Sequence, residues 1–123
     1  MPRDVRKWVW DIRDAGEHVA RFTEGRSFRD YQADALLRSA VERQLGIMGE
    51  ALNQLHQAQP ALAERITGWK LMIGFRNKLI HGYFQVSHQT VWDTITVDLP
   101  VLRREAEALL TELDSQPEEQ AGH

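Results

Sequence analysis

Apolar side chains recur at steps of three and four along nearly the whole chain, and this pattern limits the fold more than any other feature. One run passes through Trp8, Ile12, Ala15, Val19 and Phe22, and a second through Leu37, Val41, Leu45, Met48, Leu52 and Leu55. Each is the stripe of a helix seated on a core. Gly25 supplies a left-handed stop for the first helix, and Ser27 with Asp30 forms a capping-box pattern that starts the second. Gly46 and Gly49 lie close together on that second helix, where missing side chains would let a neighbouring backbone approach. Pro60 opens a short helical turn ending near Thr67 and Gly68. A third long helix is predicted from Trp69 to His81, with Gly82 as its stop.

The stretch from Thr90 to Val97 is rich in residues that favour strands. Yet Trp92, Ile95, Leu99, Leu102, Ala106, Leu109 and Leu113 keep the helical spacing across Pro100, which predicts one helix kinked at that proline. The expected fold is therefore all-α, an antiparallel four-helix bundle with an additional short helix. It occupies residues 1–113, and residues 114–123 form a disordered acidic tail.

A chain of 123 residues holds one core and is too short for two ordinary domains. It has no cysteine, so disulfides and thiolate metal sites are excluded and nothing calls for an oxidising compartment. No apolar run approaches the roughly 20 residues of a membrane span, so a soluble, cytoplasmic protein is expected. The formal charge is -3, but with Asp114, Glu118 and Glu119 set aside as tail, basic and acidic residues balance at 15 each. Global charge alone gives no sign of nucleic-acid binding.

The local distribution says more. No Asp or Glu lies between Glu64 and Asp93, whereas Arg65, Lys70, Arg76, Lys78, His81 and His88 do. Within that window Arg76-Asn77-Lys78-Leu79-Ile80-His81-Gly82-Tyr83 gathers a permanent cation, an amide, an imidazole and a phenol, a set suited to phosphate. At about 100° per residue from Arg76, Leu71, Met72, Phe75 and Leu79 fall between roughly 220° and 320°, a face expected to enter the core. Trp69, Ile73 and Ile80 fall at roughly 20° to 60°, interleaved with Arg76 at zero, Asn77 near 100° and His81 near 140°. A helix apolar on two sides predicts a homodimer through this segment, which would pool two copies of Arg76, Asn77 and His81 in one basic cleft.

Arg76 offers a planar fork of donors that can grip a phosphodiester or stabilise the charge of its transition state. His81, an imidazole, can take a proton from a ribose 2′-hydroxyl or give one to a leaving oxygen. Asn77 stands one turn before His81 and could orient it or donate to a nonbridging oxygen. Lys78 and Lys70 are candidates for RNA backbone contacts. None of this chemistry requires a metal or other cofactor. The same residues also have plainer roles, Arg76 as a surface ion-pair partner and His81 as a complement to the helix dipole. Spacing alone leaves both readings open.

The denser context carries a resemblance. Gly74 to Phe84, together with Asp11-Ile12, Ala40 to Leu45, Ile47 to Ala51, Val91-Trp92 and Leu99-Pro100, closely resembles the HEPN superfamily, in particular the HepT-like toxins of bacterial toxin–antitoxin pairs. The resemblance implies a helical homodimer whose Arg76 and His81 form a composite, metal-independent endoribonuclease site supported by Asn77. It also implies a nucleotidyltransferase antitoxin of MNT type that attaches AMP to Tyr83. Adenylate there would add phosphate and bulk beside the cleft and compete with RNA.

Two classes of function follow. One is a toxin ribonuclease that cuts single-stranded RNA by 2′-hydroxyl attack, leaving a cyclic phosphate. The other is a non-catalytic helical module that binds a nucleotide or the nucleotidyltransferase partner. Glu50 is expected to pair structurally with Arg76 or Arg43, and the four tryptophans to lie in core or interface. There is no glycine-rich phosphate loop for ATP.

Overall fold

Capping chemistry divides the chain where the apolar stripes begin and end. The computed structural model describes residues 3–81 and 86–115, which are helical almost throughout, with no strand among them. Helix α1 spans Arg3–Thr23 and ends at Gly25, whose φ of 72° lies in the left-handed region. Ser27 and Asp30 form the expected reciprocal box, but it caps only a short helix, α2, Phe28–Ala33. Asp34 then leaves helical geometry and accepts the Leu37 N–H at 3.1 Å, starting α3, Ala35–Ala58. One expected helix is therefore two, because an aspartate that caps a new helix interrupts the old one.

Pro60 begins the short α4, Pro60–Ala63, and Gly68 with φ 86° turns the chain into α5, Trp69–His81. The last helical stretch comprises α6, His88–Asp93, a π-helical turn over Thr94–Asp98, and α7, Leu99–Asp114. Where the kink at Pro100 is expected, the helical run is continuous and contains this π turn just before the proline. Pro100 has no N–H and its ring would strike a carbonyl one turn back, so the helix widens just before it, with the Leu99 N–H bonding to the Thr94 carbonyl. Helix α7 extends through Asp114, which pairs with Arg6. Gly82, Tyr83 and the tail from residue 116 lie outside the described residues.

The four long helical stretches are α1, α3, α5 and the α6–α7 run, and α1 packs against both α3 and α7. Ion pairs Arg13–Glu107 and Arg103–Glu17 show α1 and α7 running antiparallel. The neighbours Gly46–Leu79 and Gly49–Met72 show the same for α3 and α5. Val5, Val9, Ile12, Ala15 and Val19 of α1 are buried, whereas Trp8 and Phe22 sit at the edge of the core. The core continues through Leu45, Met48 and Leu52 of α3 and Leu102, Ala106 and Leu109 of α7. Among the described residues, no helix is long and apolar enough to cross a membrane.

Only part of the expected core face of α5 is buried. Met72 and Phe75 are enclosed, but Leu71 and Leu79 are 39% and 36% exposed. Gly49 brings α3 and α5 into backbone contact. A Cβ there would stand 2.4 Å from the Met72 carbonyl oxygen and 2.5 Å from Arg76 Cβ, so α5 lies directly on the α3 backbone along its Met72–Arg76 edge. Leu79, although partly exposed, still reaches Gly46 of α3.

Candidate active site

The intimate contact at Gly49 sets where Arg76 leaves its helix. Its side chain, 26% exposed, crosses to α3 and meets Glu50, the residue after the glycine. Glu50 Oε1 accepts from Arg76 Nε at 3.0 Å and from Nη2 at 2.8 Å. Asn77 Oδ1 accepts from Arg76 Nη1 at 2.9 Å. The other oxygen of Glu50 accepts from Gln54 Nε2 at 3.0 Å, one helical turn along α3. The hydrogen bond from Gln54 and the Arg76 guanidinium hold the Glu50 carboxyl below its ordinary value of 4.5, against the opposing effect of partial burial.

A guanidinium has five N–H donors. Among the described residues, three meet acceptors on the protein, which leaves one on Nη1 and one on Nη2 for a ligand. Two donors on adjacent nitrogens match two oxygens of a phosphate. Beside them runs a groove of about 640 Å³ whose walls include Trp8, Glu42, Arg43, Ile47, Glu50 and Ile80.

The structure joins Arg76 and Asn77 directly, but through the arginine, so the Asn77 carbonyl serves the guanidinium first. His81 is the last residue of α5 and is exposed. Helical geometry sets it about 140° around the axis from Arg76. Lys78 is exposed on the same turn. Lys70 lies at the far end of the helix with its ammonium 5.5 Å from the Trp69 ring, whose indole also stacks on His56 at 4.3 Å. It stands apart from the arginine. Tyr83 lies outside the described residues.

The pairing of Glu50 with Arg76 agrees with expectation, whereas Gln54 was not anticipated. Its position four residues after Glu50 on one helix was the available signal. The acid-free window around Arg76 exists in sequence only, because α3 brings a carboxylate into it.

A family model described as "Ribonuclease HepT-like" matches residues 12–109. A Thermococcus cleftensis protein named "Probable ribonuclease HepT" is 35% identical over 109 residues, covering 89% of this chain and 98% of its own. A Methanocaldococcus jannaschii protein whose name carries a provisional RNase assignment is 29% identical over 119 residues, covering 96% of this chain and 98% of its own. Another with such a name, from Caldanaerobacter subterraneus, is 32% identical over 105 residues, covering 85% and 93% respectively. No solved structure matches the chain at a significant level. With a family match that takes in most of the bundle and relatives aligned almost end to end, this chain belongs to the HepT-like ribonuclease family.

Proposed function

We propose that the chain is the toxin of a toxin–antitoxin pair, a metal-independent endoribonuclease whose site is completed by a second copy across a two-fold axis. The observation that carries this reading is the Arg76 guanidinium, anchored by Glu50 and Asn77 with two donors left over. In the proposed reaction an imidazole, His81, removes the proton of a ribose 2′-hydroxyl. The oxygen attacks the adjacent phosphorus, and the 5′-oxygen leaves with a proton from the second His81. Arg76 meets the charge that builds on the nonbridging oxygens. The products are a 2′,3′-cyclic phosphate and a 5′-hydroxyl.

Exposed apolar groups on α5 favour a partner copy there. Ile80 is 59% exposed and Leu79 36%, and both line the groove beside Arg76. Burying them against a two-fold mate would bring together the imidazole and guanidinium that one helix holds about 140° apart. Lys78 lies where an RNA backbone could reach it, and Lys70 is the more remote contact. Silencing proceeds by transfer of AMP to Tyr83 by a nucleotidyltransferase antitoxin.

Cleavage of a fluorescent single-stranded RNA by purified protein in excess chelator tests the reading. Arg76→Ala and His81→Ala are each expected to lose about a hundredfold or more in rate, with helix content and sedimentation unchanged. Undiminished cleavage by His81→Ala would end the catalytic assignment. Loss of association in Arg76→Ala would reassign that residue to the interface.

A further inference from the structure

The residue that holds Arg76 comes from a different helix, and the contact is more elaborate than an ordinary surface ion pair. Glu50 uses a single oxygen, Oε1, to accept from both Nε and Nη2 of the guanidinium, at 3.0 and 2.8 Å. Its second oxygen is tied to Gln54 at 3.0 Å. The carboxylate is therefore fixed at both ends before it fixes the arginine. Gly49 next to it lets Arg76 Cβ sit where any side chain at position 49 would collide.

We infer that Glu50 is a positioning residue of the ribonuclease site, acting through Arg76 to aim the outer Nη1 and Nη2 donors at the scissile phosphate, with Gln54 steadying it. The inference rests on the assignment of Arg76 as the phosphate clamp. An arginine without that anchor would sample many rotamers and reach the productive one only part of the time. Glu50 also has a cost. Its carboxylate, 43% exposed, stands beside the place a polyanion must occupy and repels it. The two effects act on different kinetic constants. Orientation of the clamp acts in the transition state and appears in kcat, whereas repulsion acts alike on bound substrate and transition state and appears in KM.

This gives a signature that a merely structural pair would not produce. Glu50→Ala is expected to lower kcat for RNA cleavage by about ten- to a hundredfold while lowering KM. Glu50→Gln keeps one acceptor for the arginine, so it falls between Ala and wild type in kcat. A 2′-deoxy oligonucleotide, which cannot be cut, should bind both variants more tightly than wild type. Gln54→Ala should reduce kcat a few-fold with KM nearly unchanged.

Glu17→Gln provides the control, since Glu17 and Arg103 form a bidentate pair of similar exposure away from the groove. Its kcat and KM should match wild type even if its melting temperature drops. Wild-type kcat and KM in both Glu50 variants, with Arg76→Ala inactive, would overturn the inference and leave the clamp standing. Full activity in Arg76→Ala would remove the clamp itself and the inference with it. Glu50→Gln nearly preserves shape, so misfolding of the Ala variant leaves the test in place.

Discussion

Replacing Gly49 by alanine adds one methyl group, and the structure says where it must go. The new carbon would begin 2.4 Å from the Met72 carbonyl oxygen and 2.5 Å from Arg76 Cβ, whereas ordinary contact starts at 3.4 Å. Neither neighbour is the loose end of a flexible side chain. Helix α5 must therefore back away from α3 by roughly 1 Å, the difference between those separations. Alanine in mid-helix is worth about 1 kcal/mol over glycine, and overpacking of a tight contact costs about 1–3 kcal/mol. Because the obstacle is backbone, the upper part of that range applies, and Gly49→Ala should lose about 1–2 kcal/mol net.

Gly74 calibrates the measurement. It lies in the middle of α5 with nothing within 4 Å of where its Cβ would be, so Gly74→Ala receives the propensity gain without the clash. An increase of about 0.5–1 kcal/mol is expected. Urea denaturation followed by circular dichroism should place the two alanine variants on opposite sides of wild type. Gly49→Ala should also cleave RNA more slowly than its stability explains, because the movement carries Arg76 away from Glu50. A Gly49→Ala protein as stable as wild type would refute the close packing of α5 on α3 on which the site geometry depends.

Tyr31 is fully buried, and its hydroxyl has no hydrogen-bond partner among the described residues, while burial and nearby Glu42 push its pKa to about 12. Tyr31→Phe should therefore raise stability by about 1 kcal/mol; a lower urea midpoint would show that the hydroxyl is satisfied. Glu50 titrates below its ordinary 4.5 in the folded chain. A depressed carboxyl contributes stability that is fully present above the unfolded value and lost as pH falls through the folded one. The stability lead of wild type over Glu50→Gln should persist at about pH 6 and shrink as pH falls below the ordinary 4.5, remaining small because the carboxylate is 43% exposed. A lead that does not shrink would contradict the pairing.

The helices themselves were legible because burial imposes a period that only helices satisfy. Ile12, Ala15 and Val19, or Leu45, Met48 and Leu52, read directly as core and are buried. Trp8 and Phe22 extended the first stripe by hydrophobicity, but both sit at the rim, and Val5 and Val9 are the residues of α1 buried in the core beside Ile12. The break at Asp34 was hidden because an aspartate within a helical pattern reads as a polar position until its side chain is seen to cap Leu37. The π turn was hidden for a related reason. Periodicity cannot distinguish a kink at Pro100 from one widened turn ahead of it.

The site shows a deeper limit, and also why it was partly visible. Arg76, Asn77 and His81 sit on one short segment, so their types and order can be read along the chain. What anchors the arginine is only partly legible, because its carboxylate partner, Glu50, is 26 residues away on α3. The acid-free stretch from Arg65 to Trp92 therefore overstated the positive charge that an approaching phosphate would meet, since the fold inserts Glu50 against the central cation. A clamp already partly neutralised attracts RNA less strongly than a bare basic cleft. On the proposed reading its fixed orientation favours turnover over tight binding. On that reading the clamp depends on α3 as much as on α5, with Gly49 setting the approach of α5 and Glu50 pairing with its arginine.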